Sequence, residues 1–327
     1  MRSMSRPVRA LIGAVSTALV VAAGTAAPAS ALAPTGKNWP ELEKRLQVVA
    51  DDAAAAGITL GVTVKDLSVY KGAVAQAGAH DQKMKAASII KLALLSLLMS
   101  RVDKGTLSLD TMISIPAGSP NIVGGSGTLR LRSFPLDISI RELMQLTVQV
   151  SDNTATNVLI DVAGGFDAVN TYIKSLGFTT LYLGRKMIFP ASPPLQENYI
   201  NADEVVALLE MLWKGTILSR ASSDHIIELM KGQLVNTKYG AVIPRQFLAN
   251  KTGELGDVSH DSGFILLPGR EVAMATTTSY SSTIPQTQVN VYVQRTATIV
   301  YDYLHEPLPG DNGNRPPVSY QIGQPVG

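Results

Sequence analysis

The 327-residue sequence contains no cysteine, and charged residues make up only 17% of it, fewer than the roughly 25% of an average domain. Without cysteine the protein cannot form a disulfide bond or a thiolate nucleophile, and it lacks the residue that carries a lipoprotein-type anchor. Stability must therefore come from a hydrophobic core. The chain is long enough to bury a large one, and hydrophobic residues account for 46% of it.

The first 31 residues have the pattern of a secretory signal peptide. Three arginines precede an uncharged run over residues 10–27, and a small-x-small cleavage site follows at residues 29–31. The run is short and rich in alanine and glycine, which favours a cleaved signal over a transmembrane anchor. We therefore expect a secreted or extracytoplasmic protein that has no membrane attachment after cleavage.

The small excess of basic residues belongs to this signal segment. Three of the 28 Lys and Arg residues lie within residues 1–31, which leaves 25 against 26 Asp and Glu. A nearly neutral protein has no general electrostatic attraction to nucleic acid or to an anionic membrane. We expect a monomer whose partner is a small molecule.

Hydrophobic periodicity predicts an α/β fold. The elements predicted near the two chain ends are a helix over 40–56, a half-buried strand over 58–65, strands over 247–250, 263–267 and 272–278, and a helix over 286–303. Helical patterns fill the middle, where capping boxes begin at Ser139 and Asn201. This order predicts one antiparallel sheet that is built from both chain ends and flanked by helices, with an all-helical subdomain of about residues 86–235 inserted.

The predicted domain covers residues 38–305. A tail rich in proline and glycine follows at residues 306–327, and we expect it to be disordered.

The stretch AASIIKLALLSLLMS, residues 86–100, has a single charged side chain, Lys91, in an otherwise apolar helical pattern. A buried ammonium is unfavourable unless it is paired or loses its proton. Ser88 lies three residues earlier, so the hydroxyl and the amine share a face if Ser88 is in the first helical turn. An uncharged amine is a base that can activate a serine, and the helix N-terminus offers N–H groups to an oxyanion.

The S-x-x-K pattern is a weak signal by itself, because Ser68 and Lys71 match it too. Their surroundings indicate a strand end and a turn, where residues i and i+3 point to opposite faces. We expect no catalytic role for that copy.

Two further motifs make the case for Ser88. S-D-N at residues 151–153 lies between two predicted helices, and K-T-G at residues 251–253 follows a predicted strand. Together with S-x-x-K, in this order, they resemble the signature of the penicillin-recognising serine hydrolases, and of the class A β-lactamase group in particular. The resemblance covers residues 40–304, and its smaller matches are D-L at 66–67, GGSGTL at 124–129, GRKM at 184–187 and HDSG at 260–263.

The resemblance implies a β-lactamase/transpeptidase-like fold and a role for each motif residue. Ser88 would be the acylated nucleophile, and Lys91 would be its general base or part of the proton relay. The Ser151 hydroxyl would pass a proton to the departing lactam nitrogen.

Other motif residues would bind the substrate. The resemblance implies that Asn153 bonds the substrate amide, and that Lys251 and Thr252 meet its carboxylate. The oxyanion hole would consist of the N–H groups of the nucleophile and of Glu254, while Gly253 allows the ligand to approach the backbone.

The chain departs from the class A pattern in one place. Class A enzymes have a glutamate about 35 residues after S-D-N that activates the water for deacylation. Here the residues around Met187 are apolar. Asp203 and Glu204 are explained as first-turn and capping residues of the helix after Asn201. Glu197 is left, either as the deacylating base or as a solvated surface residue.

The four histidines at positions 80, 225, 260 and 305 fit no metal-binding spacing, and we expect neither a metal nor a cofactor. We expect a structural role for His260.

Three functions are compatible with the sequence. The first is a serine β-lactamase that hydrolyses β-lactams through acyl-Ser88, which the complete motif set favours. The second is a penicillin-binding D,D-peptidase or esterase-like acyltransferase with slow deacylation, acting on a D-Ala-D-Ala-like peptide, which the missing glutamate favours. The third is a non-catalytic β-lactam sensor or cell-wall binding module. It is disfavoured because a pure binder has no chemical need for an intact catalytic set.

Overall fold

The computed structural model describes residues 39–68, 72–190 and 196–306. The expected signal peptide, and the expected tail apart from Glu306, lie outside the described residues. The Glu306 carboxylate accepts hydrogen bonds of 2.7 and 3.1 Å from Arg45, and its carbonyl accepts one of 2.5 Å from Arg270. Glu306 is therefore fixed to the domain, although we predicted it as the first residue of the tail.

The described residues form a five-stranded main sheet and two short ribbons. The strands are β1 (Ile58–Asp66), β2 (Val74–Gly78), β3 (Met84–Lys85), β4 (Met112–Ile115), β5 (Leu136–Ser139), β6 (Tyr199–Ile200), β7 (Leu248–Leu255), β8 (Val258–Ile265) and β9 (Val272–Tyr280). The main sheet is antiparallel in the order β2-β1-β9-β8-β7, and the ribbons pair β3 with β6 and β4 with β5. The predicted sheet from both chain ends is confirmed. The inserted region of about residues 86–235, predicted as all-helical, also contains the short strands β4, β5 and β6.

Helices cover both faces of this sheet. They are α1 (Pro40–Ala55), α2 (Lys91–Asp103), α3 (Ile140–Gln149), α4 (Asn153–Val162), α5 (Gly165–Ser175), α6 (Ala202–Lys214), α7 (Arg220–Lys231) and α8 (Gln286–Tyr303). Helices α1 and α8 form one hydrophobic core with the sheet, and α2 to α7 form a second core that includes α6 against β1 and β9. Among the described residues, no helix has the length and apolar character needed to cross a bilayer.

The two predicted caps begin their helices as expected. Ser139 Oγ accepts from Glu142 N at 3.2 Å before α3, and Asn201 Oδ1 accepts from Glu204 N at 2.8 Å before α6. The Glu204 carboxylate, however, accepts hydrogen bonds from the backbone N–H groups of residues 179–181. It therefore fixes a neighbouring loop to the start of α6.

Strand β1 is more deeply buried than we predicted. Its alternating pattern indicated one solvated face, but the side chains of Thr63 and Lys65 are 0% and 2% exposed. The reason is that α6 packs on the face that carries them. Thr63 Oγ1 donates to Asp203 Oδ1 at 2.5 Å, and Lys65 Nζ lies 3.9 Å from Glu210.

Strands β7 and β8 are longer than their apolar residues indicated. K-T-G lies inside β7 rather than at the end of a strand, and HDSG lies inside β8 opposite it, with Gly253 paired to His260. The sequence pattern missed this because an antiparallel ladder is formed by backbone groups, so it can include polar residues when both faces are covered.

Candidate active site

Ser88 lies on a 3₁₀ turn, Ala87–Ile90, directly before α2, whose first residue is Lys91. Residues three apart in a 3₁₀ turn are eclipsed, which places Ser88 and Lys91 on the same side. Ala87 has a φ of +44°, a conformation that costs a non-glycine residue about 1 kcal/mol or more. Ser88 is partly exposed, whereas Lys91 is only 1% exposed.

Strand β7 packs directly against this turn at Gly253. A Cβ atom at Gly253 would lie 3.2 Å from the backbone nitrogen of Ser88 and 3.0 Å from Ile89 Cγ1. Any side chain at this position would press on the backbone of Ser88. This close approach accounts for the glycine of the K-T-G motif.

The Lys91 amine is held by the S-D-N motif. Its Nζ donates to the carbonyl of Ser151 at 2.8 Å, to Ser151 Oγ at 3.2 Å and to Asn153 Oδ1 at 3.1 Å. The hydrogen bonds of the described residues do not include one between Lys91 Nζ and Ser88 Oγ. The base role of Lys91 therefore stays a prediction that depends on the shared face.

A second buried lysine reaches the same hydroxyl. Lys251 Nζ donates to Ser151 Oγ at 3.0 Å and to the Thr252 carbonyl at 2.8 Å. Ser151, which has a φ of +54°, therefore places its oxygen between two lysine nitrogens.

The surroundings of the two lysines favour their uncharged forms. Burial, together with the nearby Lys251, lowers the pKa of Lys91 well below its ordinary value. Burial lowers the pKa of Lys251 to about 7, while the nearby Asp261 acts in the opposite direction. Two ammonium groups on one oxygen repel each other, so this arrangement favours an uncharged amine beside Ser151.

The middle residue of S-D-N is structural. Asp152 Oδ1 accepts from Ala155 N at 2.8 Å and so caps α4, while its Oδ2 accepts from Leu129 N at 2.7 Å. Asn153 N donates to the Ser126 carbonyl at 3.1 Å. These bonds fix the loop over residues 124–129 against the motif that holds Lys91.

Ser88 opens into a cavity of about 170 Å³. Its lining residues are Ala87, Ser88, Gly125, Ser126, Asn153, Arg185, Met187, Ile188, Asn198, Glu254 and Leu255. Of the predicted site residues, the fold thus brings Ser88, Asn153 and Glu254 together around the cavity, with Lys91, Ser151 and Lys251 buried and hydrogen-bonded behind them. Thr252 is 3% exposed and does not line it.

Glu254 forms an ion pair at the wall of this cavity. Its carboxylate accepts from Lys238 Nζ and, at 3.4 Å, from Thr237 Oγ1. Burial alone would raise the pKa of Glu254, but the attraction of Lys238 outweighs it and the pKa is lowered.

Met187, the last residue of GRKM, lines the cavity. This residue is 6% exposed, and its backbone is held on both sides: Met187 N donates to Asn157 Oδ1 at 2.7 Å, and its carbonyl accepts from Asn157 Nδ2 at 3.2 Å. A thioether thus lines the wall where the class A resemblance would require a carboxylate.

Glu197 is neither a free carboxylate nor a solvated residue. It forms a two-pronged ion pair with Arg185, with Nε–Oε1 and Nη2–Oε2 distances of 2.8 and 3.0 Å, and both side chains are nearly buried. Oε1 also accepts from Asn198 N at 2.8 Å. Sequence reasoning missed Arg185, Asn157 and Asn198 as the residues that fix this segment; the matched GRKM string was the only signal for the first of them.

The other acids of this region are also engaged elsewhere. Asp203 accepts hydrogen bonds from Thr63, from Gln76 at 2.8 Å and from His80 at 2.9 Å, which joins α6 to β1 and β2. Among the residues that line the cavity, Glu254 is the one acid.

His260 contacts β3, the short strand that precedes Ser88. Its Nδ1 accepts from Thr278 N at 3.0 Å, so the proton is on Nε2, which lies 2.8 Å from the Lys85 carbonyl of β3. Burial lowers the pKa of His260 to about 4, so the ring is neutral. This geometry agrees with the structural role expected for it.

The second S-x-x-K copy lies only partly within the described residues. Ser68 is buried and donates to Asp66 Oδ1 at 2.6 Å, but Lys71 lies outside the described residues, so the expectation for that S-x-x-K copy stays a prediction. The part of the chain that the structure describes contains no cluster of three or more His, Asp or Glu that could hold a metal ion.

The fold is that of the β-lactamases and transpeptidases. The chain belongs to the beta-lactamase enzyme family, whose model matches residues 41–304. A beta-lactamase of Bacteroides uniformis is 25% identical over 288 residues, which cover 82% of this chain and 93% of that protein. A solved beta-lactamase from Sphaerobacter thermophilus is 28% identical, with a TM-score of 0.72, and the match covers 80% of this chain and 97% of that one.

The structure of PBP-A has the same fold. It is 23% identical to this chain, with a TM-score of 0.72, and the match covers 83% of this chain and 98% of PBP-A.

Proposed function

We propose that the protein is an exported serine hydrolase that forms an acyl-enzyme at Ser88 with β-lactams or D-Ala-D-Ala-like peptides and releases the acyl group slowly. The observation that carries the proposal is the position of Ser151 Oγ between Lys91 Nζ and Lys251 Nζ, at 3.2 and 3.0 Å. Export rests on the sequence of residues 1–31.

In the proposed acylation, Ser88 Oγ attacks the carbonyl carbon and transfers its proton to the uncharged Lys91 amine. The carbon–nitrogen bond of the donor then breaks. The proton moves from Lys91 through the Ser151 hydroxyl to the leaving nitrogen, so that Lys91 ends the step uncharged. Lys251, when protonated, attracts the carboxylate of the donor.

Deacylation has weaker support. Hydrolysis of acyl-Ser88 needs a base that takes a proton from water, and the wall that faces Ser88 presents Met187 instead. Glu197 is saturated by Arg185 and by a backbone N–H. Both observations favour a long-lived acyl-enzyme that reacts slowly with water or passes its acyl group to an amine.

Rapid β-lactam hydrolysis is the second candidate function. It is favoured by membership of the beta-lactamase enzyme family and by relatives that are named beta-lactamases. It would require a water activator that is not a carboxylate of the Met187 segment.

One experiment separates these functions. The protein without its first 31 residues is mixed with nitrocefin or benzylpenicillin, and the reaction is followed by colour change and by intact-protein mass spectrometry, with Ser88→Ala as the control. We expect a stoichiometric adduct on Ser88 that outlasts the first turnover. Continuous rapid hydrolysis would support the β-lactamase instead, and binding that Ser88→Ala does not change would support a non-catalytic sensor.

A further inference from the structure

Ile188 has a backbone conformation that a β-branched residue rarely adopts. Its φ is +71°, in the left-handed region, where the branched side chain is crowded by its own backbone. The same side chain is 54% exposed and lines the cavity that contains Ser88. Ordinary packing does not account for an exposed apolar side chain on a strained backbone beside the proposed nucleophile. Such strain is typical of positions that serve a function.

Hydrogen bonds hold the residues on both sides of Ile188. On one side Asn157 binds both the N–H and the carbonyl of Met187, at 2.7 and 3.2 Å. On the other side Arg185 Nη1 donates to the Phe189 carbonyl at 2.9 Å. The backbone of Ile188 is therefore fixed from both neighbours, and this is what lets the strained conformation persist.

The side chain of Ile188 lies against the loop over residues 124–129. A Cβ atom at Gly125 would lie 2.9 Å from Ile188 Cδ1 and 2.8 Å from Asn153 Nδ2. A side chain at position 125 would therefore displace the end of Ile188 or of Asn153, and the φ of +76° at Gly125 itself favours glycine. Ile188 thus joins two walls of the cavity, the one from its own segment and the one fixed to S-D-N.

The cavity that this contact narrows is small, and part of its lining is apolar. Ala87, Met187, Ile188 and Leu255 contribute apolar surface to the cavity of about 170 Å³. An apolar cavity of roughly 150 Å³ holds one benzene ring. We infer that Ile188 is a specificity-determining residue that restricts the side chain carried by the donor's acyl group to a compact apolar one, of about the size of a single aromatic ring.

This inference rests on the proposed function, and two penicillins test it. The amide side chain of benzylpenicillin carries one ring, and that of nafcillin carries a fused two-ring system. The rate constant for formation of the Ser88 adduct is measured with each donor by quenched-flow mass spectrometry, for the wild type and for Ile188→Gly. Glycine removes the side chain and adopts a positive φ without strain.

We expect the wild type to react faster with benzylpenicillin, and Ile188→Gly to accelerate the nafcillin reaction about tenfold or more relative to the benzylpenicillin reaction. The melting temperature of Ile188→Gly should equal or exceed that of the wild type, because relief of strain offsets the lost contact. Val48→Ala, an exposed position on α1, is the control and should leave both rates unchanged.

The outcomes separate the inference from the function on which it rests. If neither donor labels Ser88 in the wild type, the proposed function fails and the inference fails with it. If both donors label Ser88 but Ile188→Gly keeps the wild-type ratio of rates, the inference alone is overturned. An unchanged ratio with a melting temperature lowered by several degrees would identify Ile188 as a packing residue.

Discussion

The two sides of the cavity use their buried polar groups differently. On the side formed by α2, α4 and β7, the amines of Lys91 and Lys251 converge on one hydroxyl, that of Ser151. On the side formed by residues 184–190 and 196–198, Arg185 pairs with Glu197 and donates to the Phe189 carbonyl, and Asn157 of α4 holds the backbone of Met187. The first side contains groups that can transfer a proton, whereas the hydrogen bonds of the second side fix the backbone conformation of the cavity wall.

The two sides also differ in how their buried charges are balanced. Arg185 and Glu197 neutralise each other, and such a buried pair is strongly destabilised only when one partner is removed. For the two buried lysines on one oxygen, burial outweighs the opposing attraction of Asp152 and Asp261, and both pKa values are lowered. Groups with perturbed pKa values concentrate where chemistry needs them. The arrangement of these charged groups therefore supports the proposed acylation more strongly than hydrolysis of the acyl-enzyme.

The largest expected effect is at the acylation side. Lys91→Met keeps a long apolar side chain but removes the amine, and we expect the rate constant for Ser88 labelling to fall about 10³-fold because the general base is lost. Lys65→Met is the matched control, since Lys65 is also buried but lies in β1, paired with Glu210. Equal effects of the two substitutions on labelling of folded protein would contradict the role of Lys91.

A substitution can give the second side the general base that it lacks at the cavity wall. Met187→Glu places a carboxylate at the cavity wall, and we expect the Ser88 adduct to be hydrolysed about 10²-fold faster, as general base catalysis of water attack allows. The lifetime of the adduct is followed by intact mass after removal of excess donor. Met187→Gln, which has a similar shape and no charge, should not shorten it. A Met187→Glu adduct as stable as that of the wild type would show that this wall does not reach the acyl group.

The ion pair of the second side is expected to affect stability more than chemistry. Glu197→Gln leaves the nearly buried Arg185 without its counter-charge, which should cost about 2 kcal/mol or more. The melting temperature should fall by roughly 4 °C or more in a domain of this size. If Glu197 were the deacylating base, the substitution would instead lengthen the life of the adduct; we expect no lengthening.

The first side was easier to predict from the sequence than the second. Local signals also marked the starts of the two terminal helices, because Pro40 is the first residue of α1 and Pro285 directly precedes α8. Motif spacing was enough to single out Ser88 and its partners. Arg185 and Glu197 were not recognised as a pair, because the path of the segment between them brings the two charges together and no periodic pattern encodes that path.

The position of K-T-G within β7 was also missed, for a different physical reason. Hydrophobic patterns report which side chains are covered, but here both faces of the strand are covered while its side chains are polar. Lys251 is 0% exposed because its amine is satisfied by Ser151 and by a carbonyl. A buried polar network of this kind depends on contacts between distant segments, which alternation in one segment cannot show.

The smallest expected effect concerns the charge of Lys251. Because burial lowers its pKa to about 7, Lys251 is a cation below that pH and loses its charge above it. For a donor with a carboxylate, KM should therefore rise by about tenfold per pH unit above pH 7, while KM for a neutral thiolester should not.

Asp261→Asn sharpens this last test. Asp261 is buried, which raises its own pKa to about 6, and above that pH its negative charge favours the protonated form of Lys251. Removing the charge should lower the pKa of Lys251, so the rise in KM for the carboxylate donor should begin at a lower pH. The measurement is KM against pH for both donors and both proteins. A profile that is the same for the carboxylate and neutral donors would show that Lys251 does not meet the substrate carboxylate, and the acylation side would then act on its donor through Ser88, Lys91 and Ser151 without this cation.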